Sequence, residues 1–105
     1  MEISDIYQLK KVQALYIENN MKIKDISMLD NIKKLTLWNC HGIKDIGMLK
    51  KLESLVIKTK IRGLHLLRNL KSLQIRIKII DKITQGEIKK LKKINPNLFI
   101  DYLCR

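Results

Sequence analysis

Several things are scarce in this chain of 105 residues, and each shortage narrows what it can be. Its two cysteines, Cys40 and Cys104, are too few for a disulfide framework and read as free thiols. No apolar run approaches the ~18 residues needed to span a bilayer. The opening Met-Glu-Ile-Ser-Asp has neither the basic nor the apolar stretch of a signal peptide, so the expectation is a soluble protein of the cytoplasm or nucleus, without a membrane partner. No phosphate-cradling glycine loop, H-E-x-x-H or G-x-S-x-G is present, and no zinc-finger, RNA-recognition or helix-turn-helix pattern. Cys40-His41 has no second pair at ligand spacing, so no metal or cofactor is expected. His41 and His65 have no carboxylate or nucleophile arranged beside them and read as solvated histidines. Arginine is confined to Arg62, Arg68, Arg76 and Arg105, which leaves few of the side chains best suited to bidentate phosphate or base contacts. The expectation is a protein that is not an enzyme.

What the chain does have is lysine and aliphatic residues. Lys and Arg number 22 against 10 Asp and Glu, a formal charge of +12, and the sequence pI is near 9.9. Such an excess draws a protein towards nucleic acid, acidic lipid or acidic protein surfaces. A lysine-, isoleucine- and asparagine-rich composition is equally what an AT-biased code writes on any solvated face. With 46% hydrophobic residues the chain supports one domain with a small core. A domain of this size buries roughly 65% of its unfolded surface, so exposed ends are costly.

The strongest signal is repetition. Asp5, Asp25 and Asp45 fall twenty residues apart, and Gly63 takes the same slot after eighteen. Apolar columns step with them: Ile6/Ile26/Ile46/Leu64, Leu9/Leu29/Leu49/Leu67, Val12/Ile32/Leu52/Leu70, Leu15/Leu35/Leu55/Leu73 and Ile17/Leu37/Ile57/Ile75. A fixed period near twenty marks a stacked solenoid, in which each unit buries its apolar face against its neighbours. Leu15-x-Ile17 alternates as a half-buried strand does, and Ile6-x-x-Leu9-x-x-Val12 has the period of three that suits a tight 3₁₀-like return. Each coil therefore supplies one short strand to a parallel sheet and one return segment. The two-residue deletion before Gly63 falls in the loop and leaves the strand register intact. The periodic aspartates do one local job, capping the return turn, rather than acid–base chemistry.

The strand motifs Leu15-Tyr-Ile17-Glu-Asn-Asn20, Leu35-Thr-Leu37-Trp-Asn-Cys40, Leu55-Val-Ile57-Lys-Thr-Lys60 and Leu73-Gln-Ile75-Arg-Ile-Lys78 resemble the leucine-rich repeat pattern L-x-x-L-x-L-x-x-N/C-x-L. The resemblance covers roughly residues 3–80 and is similar to the short bacterial and phosphatase-regulator type. It implies an α/β, right-handed solenoid with a parallel sheet of about five short strands, short helical or 3₁₀ returns and a C-terminal capping helix. Repeats are expected at about 5–24, 25–44, 45–62 and 63–82, with a cap over 83–105. Asn20 and Cys40 fill the Asn/Cys slot, whereas Lys60 and Lys78 break the asparagine ladder after two rungs.

For the cap, Thr84-Gln-Gly-Glu87 reads as a capping box with Thr84 as N-cap, followed by the apolar stripe Ile88, Leu91 and Ile94, and stopped by Asn95-Pro96. Leu98 and Ile100 are expected to repeat Leu15 and Ile17 in a fifth strand. The edge of the first strand is expected to be bare, and a bare edge invites self-association.

Alternate strand residues point out of the sheet. The expected outward columns are Tyr16, Thr36, Val56, Gln74 and Phe99; Glu18, Trp38, Lys58, Arg76 and Asp101; and Ala14, Lys34, Ser54, Ser72 and Asn97. Three of five aromatics, Tyr16, Trp38 and Phe99, fall on this face, mixed with Lys and Arg as in binding hot spots. The concave sheet is the usual contact surface of the family, and the resemblance implies the same here. The leading expectation is a protein-interaction module that takes a partner with an acidic or mixed patch. The alternative is electrostatic binding of nucleic acid or another polyanion through Lys24, Lys44 and Arg62, stacked one coil apart, and through Lys89, Lys90, Lys92 and Lys93 on the helix.

Overall fold

The computed structural model describes residues 10–104. Five strands, β1 (Ala14–Glu18), β2 (Lys34–Trp38), β3 (Ser54–Lys58), β4 (Ser72–Arg76) and β5 (Phe99–Leu103), form one parallel sheet in sequence order. Between β1 and β2, and between β2 and β3, the returns are successions of tight turns closed by i→i+3 bonds such as Leu29 N–H to Ile26 and Leu49 N–H to Ile46. The fourth return contains a 3₁₀ turn at Leu64–Leu66, and a second follows β4 at Ile77–Ile79. Helix α1 (Lys82–Ile94) lies between β4 and β5 and packs on the Leu64–Leu66 turn. The architecture is an α/β solenoid of stacked coils.

Register follows the period of the sequence. Leu15 lies beside Leu35, then Leu55 and Leu73, and Ile17 beside Leu37, Ile57 and Ile75. These side chains face the return segments, where Ile26/Ile46/Leu64, Leu29/Leu49/Leu67 and Ile32/Leu52/Leu70 meet them in a core that is fully or almost fully buried apart from the half-buried Leu15 at its first strand. At ~25 cal/mol per Å² of apolar surface, burying such a side chain contributes about 1.5–3 kcal/mol. Asp5 and the first copies of the apolar columns before residue 10 lie outside the described residues.

Two expectations about the cap need correction. The N-cap is Asp81, not Thr84: Asp81 Oδ1 accepts the backbone N–H of Thr84 at 2.8 Å and its hydroxyl at 2.9 Å. An aspartate three residues upstream makes an equally good cap and adds a turn to the helix. The helix ends as expected, with Asn95 as C-cap; its side-chain amide donates to the Leu70 carbonyl. The fifth strand is displaced by two residues. Ile100 pairs with Leu73 and Tyr102 with Ile75, so Phe99 stands beside Ser72, Asp101 beside Gln74 and Leu103 beside Arg76. A two-residue slip preserves the side-chain face, and Phe99 and Asp101 still point outward.

Candidate functional site

The outward face of the sheet is built by the strand alternation that buries its inner face. The corrected rows are Ala14–Lys34–Ser54–Ser72–Phe99 and Tyr16–Thr36–Val56–Gln74–Asp101, with Glu18–Trp38–Lys58 beside them and Arg76–Leu103 on the last two strands. Four predicted residues come together at the β1–β3 end. Tyr16 Oη donates to Glu18 Oε2 at 2.9 Å, Glu18 lies in register with Trp38, and Lys58 Nζ sits 4.3 Å from the centroid of the Trp38 ring. A cation placed over an indole face is attracted by the ring quadrupole, by about 0.5–1 kcal/mol where solvent has access. Trp38 is half-buried and lies outside the hydrophobic core. The hydrogen bond to Glu18, then burial and the carboxylate's charge, push the Tyr16 hydroxyl above its ordinary pKa.

Phe99 does not join this cluster. It is exposed on the far edge strand, four strand spacings from Tyr16, or roughly 19 Å. Thr36, Val56, Gln74 and Asp101 form the half-exposed floor between the two ends, and Lys34 is exposed beside them. Arg76 lies on β4, its Nε buried and without a hydrogen-bond partner among the described residues.

The loop edge differs from expectation at Arg62. Its guanidinium donates to Asp81 Oδ2 at 2.9 Å and reaches Thr84 Oγ1 at 3.4 Å, and Lys60 Nζ stands 3.5 Å from the same carboxylate. Asp81 neutralises the last member of the basic row. The Thr84 backbone N–H, the Thr84 hydroxyl and the Arg62 guanidinium together hold its carboxyl well below the usual range. Lys24 and Lys44 remain exposed, as do Lys89, Lys90, Lys92 and Lys93 on α1. A second cluster, Lys33, Lys51 and Lys71, surrounds Glu53 and Asn69 in the turns before the strands, with Lys71 Nζ 3.6 Å from Glu53. The stacking of Lys33, Glu53 and Lys71 one coil apart was the signal that could have found it.

The turn carboxylates do share a task. Asp25 Oδ1 accepts the Ser27 N–H at 2.8 Å, and Asp45 Oδ1 accepts the Gly47 N–H at 2.7 Å. The Ser27 hydroxyl and backbone N–H lower the Asp25 pKa. In the next coil the slot holds Gly63, which has no carboxylate, and α1 brings one to a different amide of the turn, that of Gly63 itself. Glu87, 8% exposed, accepts the Gly63 N–H at 2.9 Å through Oε2, and the same oxygen lies 3.0 Å from His65 Nδ1. His65 is therefore partnered, contrary to its reading as a solvated ring; the carboxylate comes from twenty-two residues away and no local pattern announces it.

At the Asn/Cys slot Asn20 serves its own turn, whereas Cys40 reaches both its own coil and the preceding one. Asn20 Oδ1 accepts the N–H groups of Lys22 and Ile23, while the buried Cys40 Sγ lies 3.4 Å from the Ile17 carbonyl and 3.3 Å from that of Trp38. The cross-coil amide rung forms one position earlier, where Asn39 Nδ2 donates to Asn19 Oδ1 at 2.7 Å and both residues adopt positive φ near 55°. Asparagine tolerates that left-handed conformation better than most residues.

Among the described residues no helix is long and apolar enough to cross a membrane. Comparisons of the chain with protein-family models, with curated proteins and with solved structures each returned no match.

Proposed function

We propose that this is a leucine-rich repeat protein of the short-repeat type, and that it acts without catalysis as a protein-interaction module, binding a partner through the open sheet face. The observation that carries the reading is the Tyr16–Glu18–Trp38–Lys58 cluster, an indole held half-exposed between an acid and an ammonium group on the β1–β3 side of the sheet. Aromatic anchors already ordered in the free protein lose little freedom on binding, and tryptophan is enriched where truncation costs most. Arg76 and Lys34 extend the patch, giving a mixed basic and acidic surface suited to an acidic or mixed partner. Phe99, beyond the cluster, contributes at its periphery.

The test is affinity capture from the protein's own cell extract, with quantified binding of the captured partner to wild type and to Trp38→Ala. The substitution is expected to cost ~2 kcal/mol or more of affinity while leaving the melting temperature nearly unchanged. Undiminished affinity would overturn the assignment. Nucleic-acid or polyanion binding is the second reading, and it draws support from the exposed lysines of α1 and from Lys24 and Lys44. The pairing of Arg62 with Asp81 weakens it. Titrating generic RNA and DNA against salt separates the two, because binding through n phosphates falls with a log–log slope of about −0.7n to −0.9n.

A further inference from the structure

The inward column that runs through the sheet as Ile17, Leu37, Ile57 and Ile75 ends on Tyr102. Ile75 is 0% exposed, whereas Tyr102, in the same inward position one strand on, is 49% exposed. It lines a groove of about 580 Å³ between α1 and the last strand, floored by Ile77, Ile80 and Ile88. No described strand pairs with the outer edge of β5. Phe99 N–H bonds to the Lys71 carbonyl, towards β4, so alternation along a parallel strand turns the backbone groups of Ile100 and Tyr102 to the open side. Among the described residues, β5 thus combines an uncovered core column with an unpaired strand edge.

The groove's rim decides what fits there. Lys89 and Lys92 border it, and among the described residues no acidic side chain lines it. A second copy docked edge to edge about a two-fold axis would set these lysines against their own counterparts, in a chain carrying +12. We propose that the β5 edge and its groove bind an extended, acid-flanked segment of another protein, added to the sheet as a sixth strand. Two aliphatic side chains at i and i+2 of that segment continue the inward columns over Ile100 and Tyr102, and flanking carboxylates meet Lys89 and Lys92. Main-chain pairing supplies the docking and alternate side chains the selectivity, as in other strand-addition complexes. The surface is separate from the Trp38 cluster and stands whether or not that cluster binds a partner.

The probe is an end-capped, fluorescein-labelled peptide, Glu-Asp-Leu-Thr-Ile-Glu-Asp, with an isomer of the same composition, Glu-Asp-Leu-Ile-Thr-Glu-Asp, that breaks the alternation. Anisotropy is expected to show the first binding at least tenfold more tightly than the isomer. The exposed-site double variant K89E/K92E should lose at least tenfold, Tyr102→Arg should lose a similar factor, and Trp38→Ala should lose none. Hydrogen exchange of the complex should slow at the Ile100 and Tyr102 amides. Equal binding of the two peptides would overturn the proposal. So would protection confined to other strands, or a free protein that already sediments as a dimer with those two amides protected.

Discussion

The second and third coils and the fourth coil carry carboxylates of different origin, on different amides of the return turn. Asp25 and Asp45 each accept the N–H two residues ahead, from within their own coil. The fourth coil places Gly63 in that slot, and Glu87 of α1 accepts the N–H of Gly63 itself. The early coils are therefore locally self-sufficient, whereas the fourth is finished only when the helix docks. In a solenoid whose units otherwise depend on nearest neighbours, this bond ties the cap to the array.

The strongest way to break that contrast is to give the fourth coil an aspartate of its own. Gly63 has φ 96°, and a Cβ there would lie 2.4 Å from Asp45 Oδ1 and 2.6 Å from the Gly47 nitrogen. Gly63→Asp should cost about 3 kcal/mol, the sum of left-handed strain and overpacking, measured by denaturant unfolding. Removing the long-range carboxylate comes next. Glu87→Ala should cost about 2 kcal/mol by leaving the buried Gly63 N–H unpaired, and should speed hydrogen exchange at that amide and through α1 together. The local counterpart, Asp45→Ala, should cost about 1 kcal/mol, with faster exchange confined to its own turn. An equal spread of exchange in the two variants would erase the distinction between the coils.

Acid gives the smallest and most graded effect. Asp81 and Asp25 have folded pKa values below the ordinary carboxylate value of about 3.9, so each stabilises the fold above that pH. That contribution is lost as the pH falls through their lowered folded values. The melting temperature should decline below about pH 4, and less steeply in Asp81→Asn, which keeps a capping side chain without the titrating charge. Melts taken in steps from pH 6 to pH 2 would show it.

The solenoid was legible wherever geometry repeats the sequence. Leu35, Leu55 and Leu73 share one environment because each coil rebuilds the last, so a period in the text becomes a column in space. The cap carries no such ruler. After Lys78 the period stops, and Pro96 ends the helix without fixing where β5 begins, which is why Phe99 and Asp101 were assigned one column too far along. Thr84-x-x-Glu87 and Asp81-x-x-Thr84 both fit a helix start; the ion pair with Arg62 adds to the second, and a pair nineteen residues apart leaves no local trace. The candidate site divides in the same way. Trp38 and Lys58 are twenty residues apart, so their stacking follows from the period, and Asn19 with Asn39 could have been found by the same rule. The Glu87–His65 contact and the exposed Tyr102 depend on how the helix docks.

The burial of Cys40 has a practical consequence. Its sulfur is sealed beneath the β1–β2 turns while Cys104, just past β5, is exposed. A thiol reagent will therefore modify Cys104 at a rate set by collision, and Cys40 at a rate set by how often the middle of the protein comes apart. The two sulfurs form a built-in clock, one hand timing access to the terminal strand and the other the rare opening of the interior.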